Sequence, residues 1–294
     1  MKKVVVICGP TASGKTKISI ELAKYFNAEI ISGDSVSVYK RLDIGSAKIK
    51  EEEKEGVIHH LIDLLDPTEE YSTACFQRHC RAIIDEVARP FIVGGTGLYI
   101  KSALYDYEFS DSKRDAEFAS KFTFCSNQEL FEMLEKYDSK ACEKLHPNNR
   151  KRVLRALEMA LNNDHISNKN KKDILLYDTY IIYLDLDRDV LYNRINKRVD
   201  LMLKEGLLEE VKGLYDDGII INAIGYKEFI PYFKDEISLE TAIEEIKKNT
   251  RHLAKRQITW FKNQMDTHFY QVDLANIEKT IENIKRDLEE FYAK

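Results

Sequence analysis

Eight consecutive residues, Gly9-Pro10-Thr11-Ala12-Ser13-Gly14-Lys15-Thr16, form the pattern G-x-x-x-x-G-K-[ST]. Glycines in such a loop let backbone N–H groups turn inward around an anion, and a helix that follows adds its partial positive charge. Lys15 supplies a full charge and the Thr16 hydroxyl a ligand for Mg²⁺, so Gly9 to Thr16 reads as phosphate-binding. The loop does not name a reaction, because kinases, ATPases, GTPases and other enzymes of di- and triphosphates share it. An acid stands further on in Gly33-Asp34-Ser35-Val36-Ser37. Asp34 is suited to a general base or a metal ligand, with a turn or helix cap as the alternative. No apolar run ending in a well-placed pair of acids follows, nor the lid arginines of a small-molecule kinase.

These residues need elements to hold them. Val4 to Cys8 is a β-branched run that stops at Gly9, and Lys15 to Phe26 then takes helical spacing. Further strands are expected at Glu29 to Ser32, His60 to Leu64, Phe91 to Val93 and Tyr180 to Leu184, with helical periodicity at Phe76, Cys80, Ile83, Ile84 and Val87 and over Val190 to Leu203. Strands alternating with helices predict an α/β fold, a P-loop NTPase-like parallel sheet with helices on both faces. In such sheets ligands bind beyond the carboxyl ends of the strands, which puts Asp34 opposite the phosphate loop. Residues 111–175 break the alternation and read as an inserted all-helical domain, between a first core part at 1–110 and a return at 176–294. Leu207 to Tyr215, Leu239 to Lys262 and Ile277 to Phe291 are amphipathic, the last with Ile277, Ile281, Ile284, Leu288 and Phe291 on a core stripe.

With 45 basic and 50 acidic residues among 294, the net charge of −5 excludes a global basic field for nucleic acid. Local patches remain. Arg150-Lys151-Arg152-Val153-Leu154-Arg155 is one, and Lys247 to Lys262, without an internal acid, is another. On the second, Lys248, Arg251, Lys255 and Lys262 fall on one helical stripe and Ile246, Leu253 and Trp260 on an apolar one; the alternative is an ordinary solvated face. Arg194 and Arg198 are spaced to clamp a diphosphate from one helix face, unless they pair with Asp187 or Asp200. Lys48 to Glu55 and Asn168 to Asp173 read as solvated surface, and His59-His60 as structural, not metal-binding. Five cysteines without a C-x-x-C pair argue against disulfides and for a reducing, cytoplasmic setting; no leader or membrane span is expected.

The phosphate loop, Asp34-Ser35 with Tyr39, Asp43-Ile44-Gly45 with Ala47-Lys48, His59-His60 with Asp63, Asp66-Pro67 with Tyr71-Ser72, Val93 to Tyr99, His146-Pro147-Asn148, Arg152 to Glu158, Gly225-Tyr226-Lys227-Glu228 and Ala254 to Phe261 together resemble the tRNA dimethylallyltransferase family, in order and over nearly the whole chain. The resemblance implies transfer of a dimethylallyl group from its diphosphate to N6 of the adenosine 3′ to the anticodon (position 37), in tRNAs reading codons that begin with U. Asp34 would be the base; Lys15, Thr16, Arg194 and Arg198 would stabilise the leaving diphosphate with Mg²⁺. It further implies tRNA contacts from Asp34, Ser35, Val36, Ser37, Thr96, Lys151, Arg152, Arg155, Gly225, Tyr226, Lys227, Lys255, Arg256, Gln257, Trp260 and Lys262. A capping role is the alternative for Thr96. The expected partners are the tRNA anticodon stem-loop and dimethylallyl diphosphate, with no membrane and a monomeric protein.

Departures are Ser37, where many members carry Gln, and Ser46 and Ile49 in place of Thr and Pro. A Cys/His zinc tail is not expected. The rivals are an adenylate dimethylallyltransferase acting on free nucleotide, a P-loop small-molecule kinase or NTPase, and a non-catalytic RNA-binding module.

Overall fold

The computed structural model describes residues 1–109, 115, 117–164 and 173–294. Position 111, where the insertion is expected to begin, and most of Asn168 to Asp173 lie outside them. The elements in chain order are β1 (Lys3–Cys8), α1 (Lys15–Phe26), β2 (Glu29–Ser32), β3 (His59–His60), α2 (Thr73–Glu86), β4 (Pro90–Gly94), α3 (Gly97–Leu104), α4 (Asn127–Tyr137), α5 (Ser139–Cys142), α6 (Arg150–Leu161), β5 (Asp178–Asp185), α7 (Arg188–Lys204), α8 (Leu207–Asp216), α9 (Ile230–Phe233), α10 (Leu239–Gln264), β6 (His268–Gln271) and α11 (Ile277–Ala293). The chain divides into two compact units, Met1–Tyr105 with Leu175–Lys294, and Asp106–Ile174.

The first unit is built on a six-stranded sheet of order β3-β2-β4-β1-β5-β6, every neighbouring pair parallel. The period of two in β1 explains why both faces are covered. Val5 and Ile7 enter a core with Ile18 and Leu22 of α1, Leu191 and Ile195 of α7 and Ile284 and Leu288 of α11. Val4, Val6 and Cys8 enter the opposite core with Phe76 and Cys80 of α2, Ile100 of α3 and Phe261 of α10. A satellite cluster joins Val199, Leu207, Val211, Tyr226, Phe229, Ala242 and Ile246. The second unit packs α4, α5 and α6 around Leu130, Leu134, Val153 and Leu157, and its α4 begins with a Ser126/Glu129 capping box.

Two expectations need correction, and one strand lies outside them. The strand predicted over His60 to Leu64 ends after His60, because Leu61 and Asp63 take left-handed backbone (φ 61° and 53°) that no strand tolerates. The edge strand β6 carries no alternation or apolar run and escapes periodicity; its residues are mostly exposed. Lys48 is not solvated. Its side chain is 6% exposed, and Nζ donates to Tyr39 O at 2.8 Å and to carboxylates of Asp43 and Asp63, both at 2.5 Å.

Candidate functional site

The phosphate loop runs from the carboxyl end of β1 to the first turn of α1, as the motif requires. Ala12 (φ 65°) and Gly14 (φ 95°) take left-handed backbone, which coils the loop tightly before the helix. Lys15 Nζ donates to Gly9 O at 3.1 Å and to Pro10 O at 2.8 Å, so its ammonium lies over the loop. Burial pulls the Lys15 pKa down to about 8, reinforced by Arg198 and opposed by Asp34 and Cys8. Ser13 Oγ is buried without a hydrogen-bond partner inside the same loop, a donor of the kind an anion satisfies. Thr16, in the first turn of α1, is exposed. A hard cation bridging to a diphosphate needs only one or two protein oxygens, the rest coming from phosphate and water, so Thr16 fits that role.

Asp34 follows β2 and is half-buried. Its Oδ1 accepts the N–H groups of Val36 at 2.8 Å and Ser37 at 3.3 Å, so the turn role does exist, and it occupies one of two carboxylate oxygens. Burial lowers the pKa of both Lys15 and Arg198, and the charge of Asp34 opposes the fall in each. On α7, burial drives the Arg198 pKa down, Asp34 opposing and Arg194 adding to it. Arg194 Nε donates to Ala12 O at 2.8 Å, so α7 grips the loop at its strained residue. The alternative partners are engaged elsewhere: Asp187 caps α7, and Asp200 pairs with Lys247.

The turn between β4 and α3 closes over the same strand ends. A Cβ built on Gly94 would overlap the backbone of Gly33, so only glycine permits this approach of β4 to the segment carrying Asp34. Thr96 N donates to Gly33 O at 3.3 Å; Thr96 is the N-cap residue of α3, its carbonyl accepting Tyr99 N–H at 3.0 Å and Ile100 N–H at 3.2 Å, while its side chain makes no capping bond. Trp260 of α10 lies where a Cβ on Gly97 would be, and Gln257 where one on Gly95 would be. Gln257 Oε1 accepts Thr11 N–H at 3.2 Å and its Nε2 donates to Gly95 O at 3.0 Å.

The residues expected to meet tRNA divide by burial. Lys227, Lys255, Arg256 and Lys262 are exposed in the first unit, Lys262 over the Phe269 ring at 5.5 Å. In the second unit Lys151 and Arg152 are exposed, whereas Arg155 pairs with the buried Glu158 at 2.7 Å and Arg150 donates to Phe122 O, Cys125 O and Asn127 Oδ1. Tyr226 is 1% exposed and donates its hydroxyl to Glu210 at 2.8 Å, so the structure places it in the interior and not on the surface. Gly225 is buried too, its N–H held by Glu228 at 2.9 Å. Ser35 and Val36 are half-buried and Ser37 is 8% exposed. The basic stripe of α10 is also less uniform than its sequence: Lys247 pairs with Asp200 and Glu244, Lys248 with Glu245, and Arg251 donates to Asn196.

Glu210 has no motif to mark it. One of its oxygens accepts Asp43 N at 2.9 Å and Ile44 N at 2.8 Å, and the other accepts Gly45 N at 3.0 Å, so it fixes the loop after Asp34. Sequence spacing alone offers no signal for that contact across 165 positions. His59 Nδ1 lies 2.9 Å from Val57 O and His60 Nε2 lies 2.7 Å from Glu29.

The model of the IPP transferase family matches residues 37–264, and that of isopentenyl transferases matches residues 2–64. A tRNA dimethylallyltransferase of Anoxybacillus flavithermus is 47% identical over 98% of this chain and 96% of its own, and one of Bacillus licheniformis is 48% identical over 96% and 95%. Among solved structures, a tRNA isopentenylpyrophosphate transferase of Bacillus halodurans superposes with a TM-score of 0.76 at 41% identity, covering 99% of this chain and 97% of that one. A eukaryotic dimethylallyltransferase acting on tRNA reaches a TM-score of 0.83 at 30% identity, over 97% of this chain and 77% of its own. Agreement of this extent, spanning both the anion loop and the basic helix α10, means that the chain belongs to the IPP transferase family.

Proposed function

We propose that the protein transfers a dimethylallyl group from dimethylallyl diphosphate to N6 of the adenosine at position 37 of tRNA, next to the anticodon on its 3′ side, in tRNAs that read codons beginning with U. The products are N6-dimethylallyladenosine and diphosphate. The observation that carries the reading is geometric: the phosphate loop, with Lys15 Nζ on its carbonyls, follows β1, and the Asp34 carboxylate follows β2, at the same ends of one parallel sheet. The N6 lone pair attacks C1 of the donor, the C–O bond breaks, and its electrons leave with the diphosphate. Lys15, Arg198 and the loop N–H groups stabilise that growing charge. The Thr16 hydroxyl would hold Mg²⁺, which would supply Lewis-acid stabilisation of the diphosphate. The proton lost by N6 passes to Asp34, whose second oxygen is outside the turn.

An exocyclic amine is reachable only after its base leaves the stack, which a loop nucleotide does at modest cost. Phosphate contacts come from exposed Lys255, Arg256, Lys262 and Lys227 in one unit and from Lys151 and Arg152 in the other. The reading has the protein working as a monomer in the cytoplasm. Among the described residues no helix is long and apolar enough to cross a membrane. Incubation with unmodified tRNA and dimethylallyl diphosphate, followed by mass analysis of nucleosides, should give a five-carbon adduct on adenosine. Prenylation of free AMP in place of tRNA would assign the enzyme to the nucleotide-modifying class, and phosphate transfer from ATP to a small molecule would make it a kinase.

A further inference from the structure

Gln257 sits on α10, the helix that carries the exposed Lys255 and Arg256, yet its own amide points into the protein's two ligand loops. The oxygen accepts Thr11 N–H of the phosphate loop, and the nitrogen donates to Gly95 O in the turn after β4. The two partners fix the orientation of the amide, since only one end can accept and only the other can donate. The loops meet closely here: a Cβ on Gly95 would overlap the Gln257 amide nitrogen and lie 3.5 Å from Gly9 O. Core residues on either side of Gln257, Ala254 and Phe261, are fully buried, so the helix holds the amide on a rigid base. Trp260, one turn on, closes against Gly97 of the same turn.

We infer that Gln257 is a positioning residue that sets the spacing between the phosphate loop and the Gly94–Gly97 turn, and thereby the alignment of the diphosphate with the acceptor amine. The inference rests on the proposed placing of the diphosphate at Lys15 and of the adenosine beside Asp34. Both polar atoms of the amide are committed inside the protein, which separates this role from reading RNA. A misplacement of the reacting groups by about 1 Å costs on the order of 10²-fold in rate.

The test compares Gln257→Met, which fills the space without the two bonds, with Gln257→Glu, which keeps the acceptor for Thr11 N–H and sets a carboxylate against Gly95 O. Single-turnover rates at saturating tRNA and dimethylallyl diphosphate should fall roughly 10- to 100-fold in both, with tRNA affinity unchanged. Weaker tRNA binding with the saturated rate kept would make Gln257 an RNA contact and overturn the inference. A lower melting temperature with a wild-type rate per folded molecule would make it merely structural, with the same result. A second measurement uses Gly95→Ala. Its methyl should slow the wild-type enzyme, and should cost far less in a Gln257→Ala background that vacates the space. Equal cost in both backgrounds refutes the contact. Lys15→Ala, run alongside, separates the two layers. A wild-type rate in Lys15→Ala removes the diphosphate assignment itself, whereas a wild-type rate in Gln257→Met beside a crippled Lys15→Ala removes only this inference.

Discussion

Asp34 can hold a turn and serve as the proposed base at once, because a carboxylate has two oxygens and the turn uses one. Asp34→Asn keeps an amide oxygen for Val36 and Ser37 N–H and loses the basicity. The single-turnover rate should therefore drop by ~10²–10⁴ while tRNA and donor affinities stay near wild type. Collapse of binding with an intact rate would return Asp34 to a purely structural or metal-holding part. Lys15 adds a pH dependence. With its pKa brought down to about 8 by burial, Arg198 adding, Lys15 is charged below that pH and neutral above it. Because the anion binds the charged form, donor affinity should be full below pH 8 and decline as pH rises through it. Lys15→Arg keeps its charge to far higher pH and should flatten this decline, which separates Lys15 from the protein's other titrating groups; the donor's own ionisation adds negative charge as pH rises and works in the opposite direction. An equally steep decline in Lys15→Arg would assign the effect to a protein group other than Lys15.

At the scale of elements, the parallel strands are legible because Val4 to Cys8, Glu29 to Ser32 and Tyr180 to Leu184 are apolar runs of strand length, and each is followed by a glycine or an acid. β3 was overread, since Leu61 and Asp63 look extended by composition and turn out left-handed. The apolar seam of α10 was only half legible. Steps of seven from Ile246 lead to Leu253 and Trp260, but the buried line runs Ala242, Ile246, Ala254, Phe261. The face rotates because one long helix leaves the satellite cluster at Ile246 and enters the sheet core at Phe261. In the site, the loop and its acid were visible in local spacing, whereas Glu210, Gln257 and the burial of Tyr226 arise from contacts between distant segments. Tyr226→Phe tests the last of these. Glu210 keeps its three backbone donors and loses one, so stability should fall by ~0.5–1.5 kcal/mol with tRNA affinity per folded molecule unchanged. Lost affinity at unchanged melting temperature would put the hydroxyl on the RNA instead.

At the scale of the whole molecule, a net charge of −5 has to coexist with binding of a polyanion. The balance is met locally, because many cations of the chain are spent on neighbours: Lys247 on Asp200, Lys248 on Glu245, Arg155 on Glu158, Lys48 on Asp43 and Asp63. Exposed cations survive in each unit, Lys255 and Arg256 in one and Lys151 and Arg152 in the other. Each pair can therefore be reversed to glutamate without leaving a buried carboxylate unpaired. If both units contact phosphates, each double variant should weaken tRNA binding and reduce the slope of log affinity against log salt by about 0.7–0.9 per lost contact. Donor affinity should not change, as the phosphate loop is held by Arg194 and Gln257 and by none of these four residues. Titrating tRNA at several salt concentrations, with AMP as an alternative acceptor, decides between the surfaces. A salt slope unchanged by the Lys151/Arg152 pair leaves the helical unit out of RNA binding, and one unchanged by Lys255/Arg256 does the same for α10. Full prenylation of AMP by both variants would show that the acceptor never needed either surface.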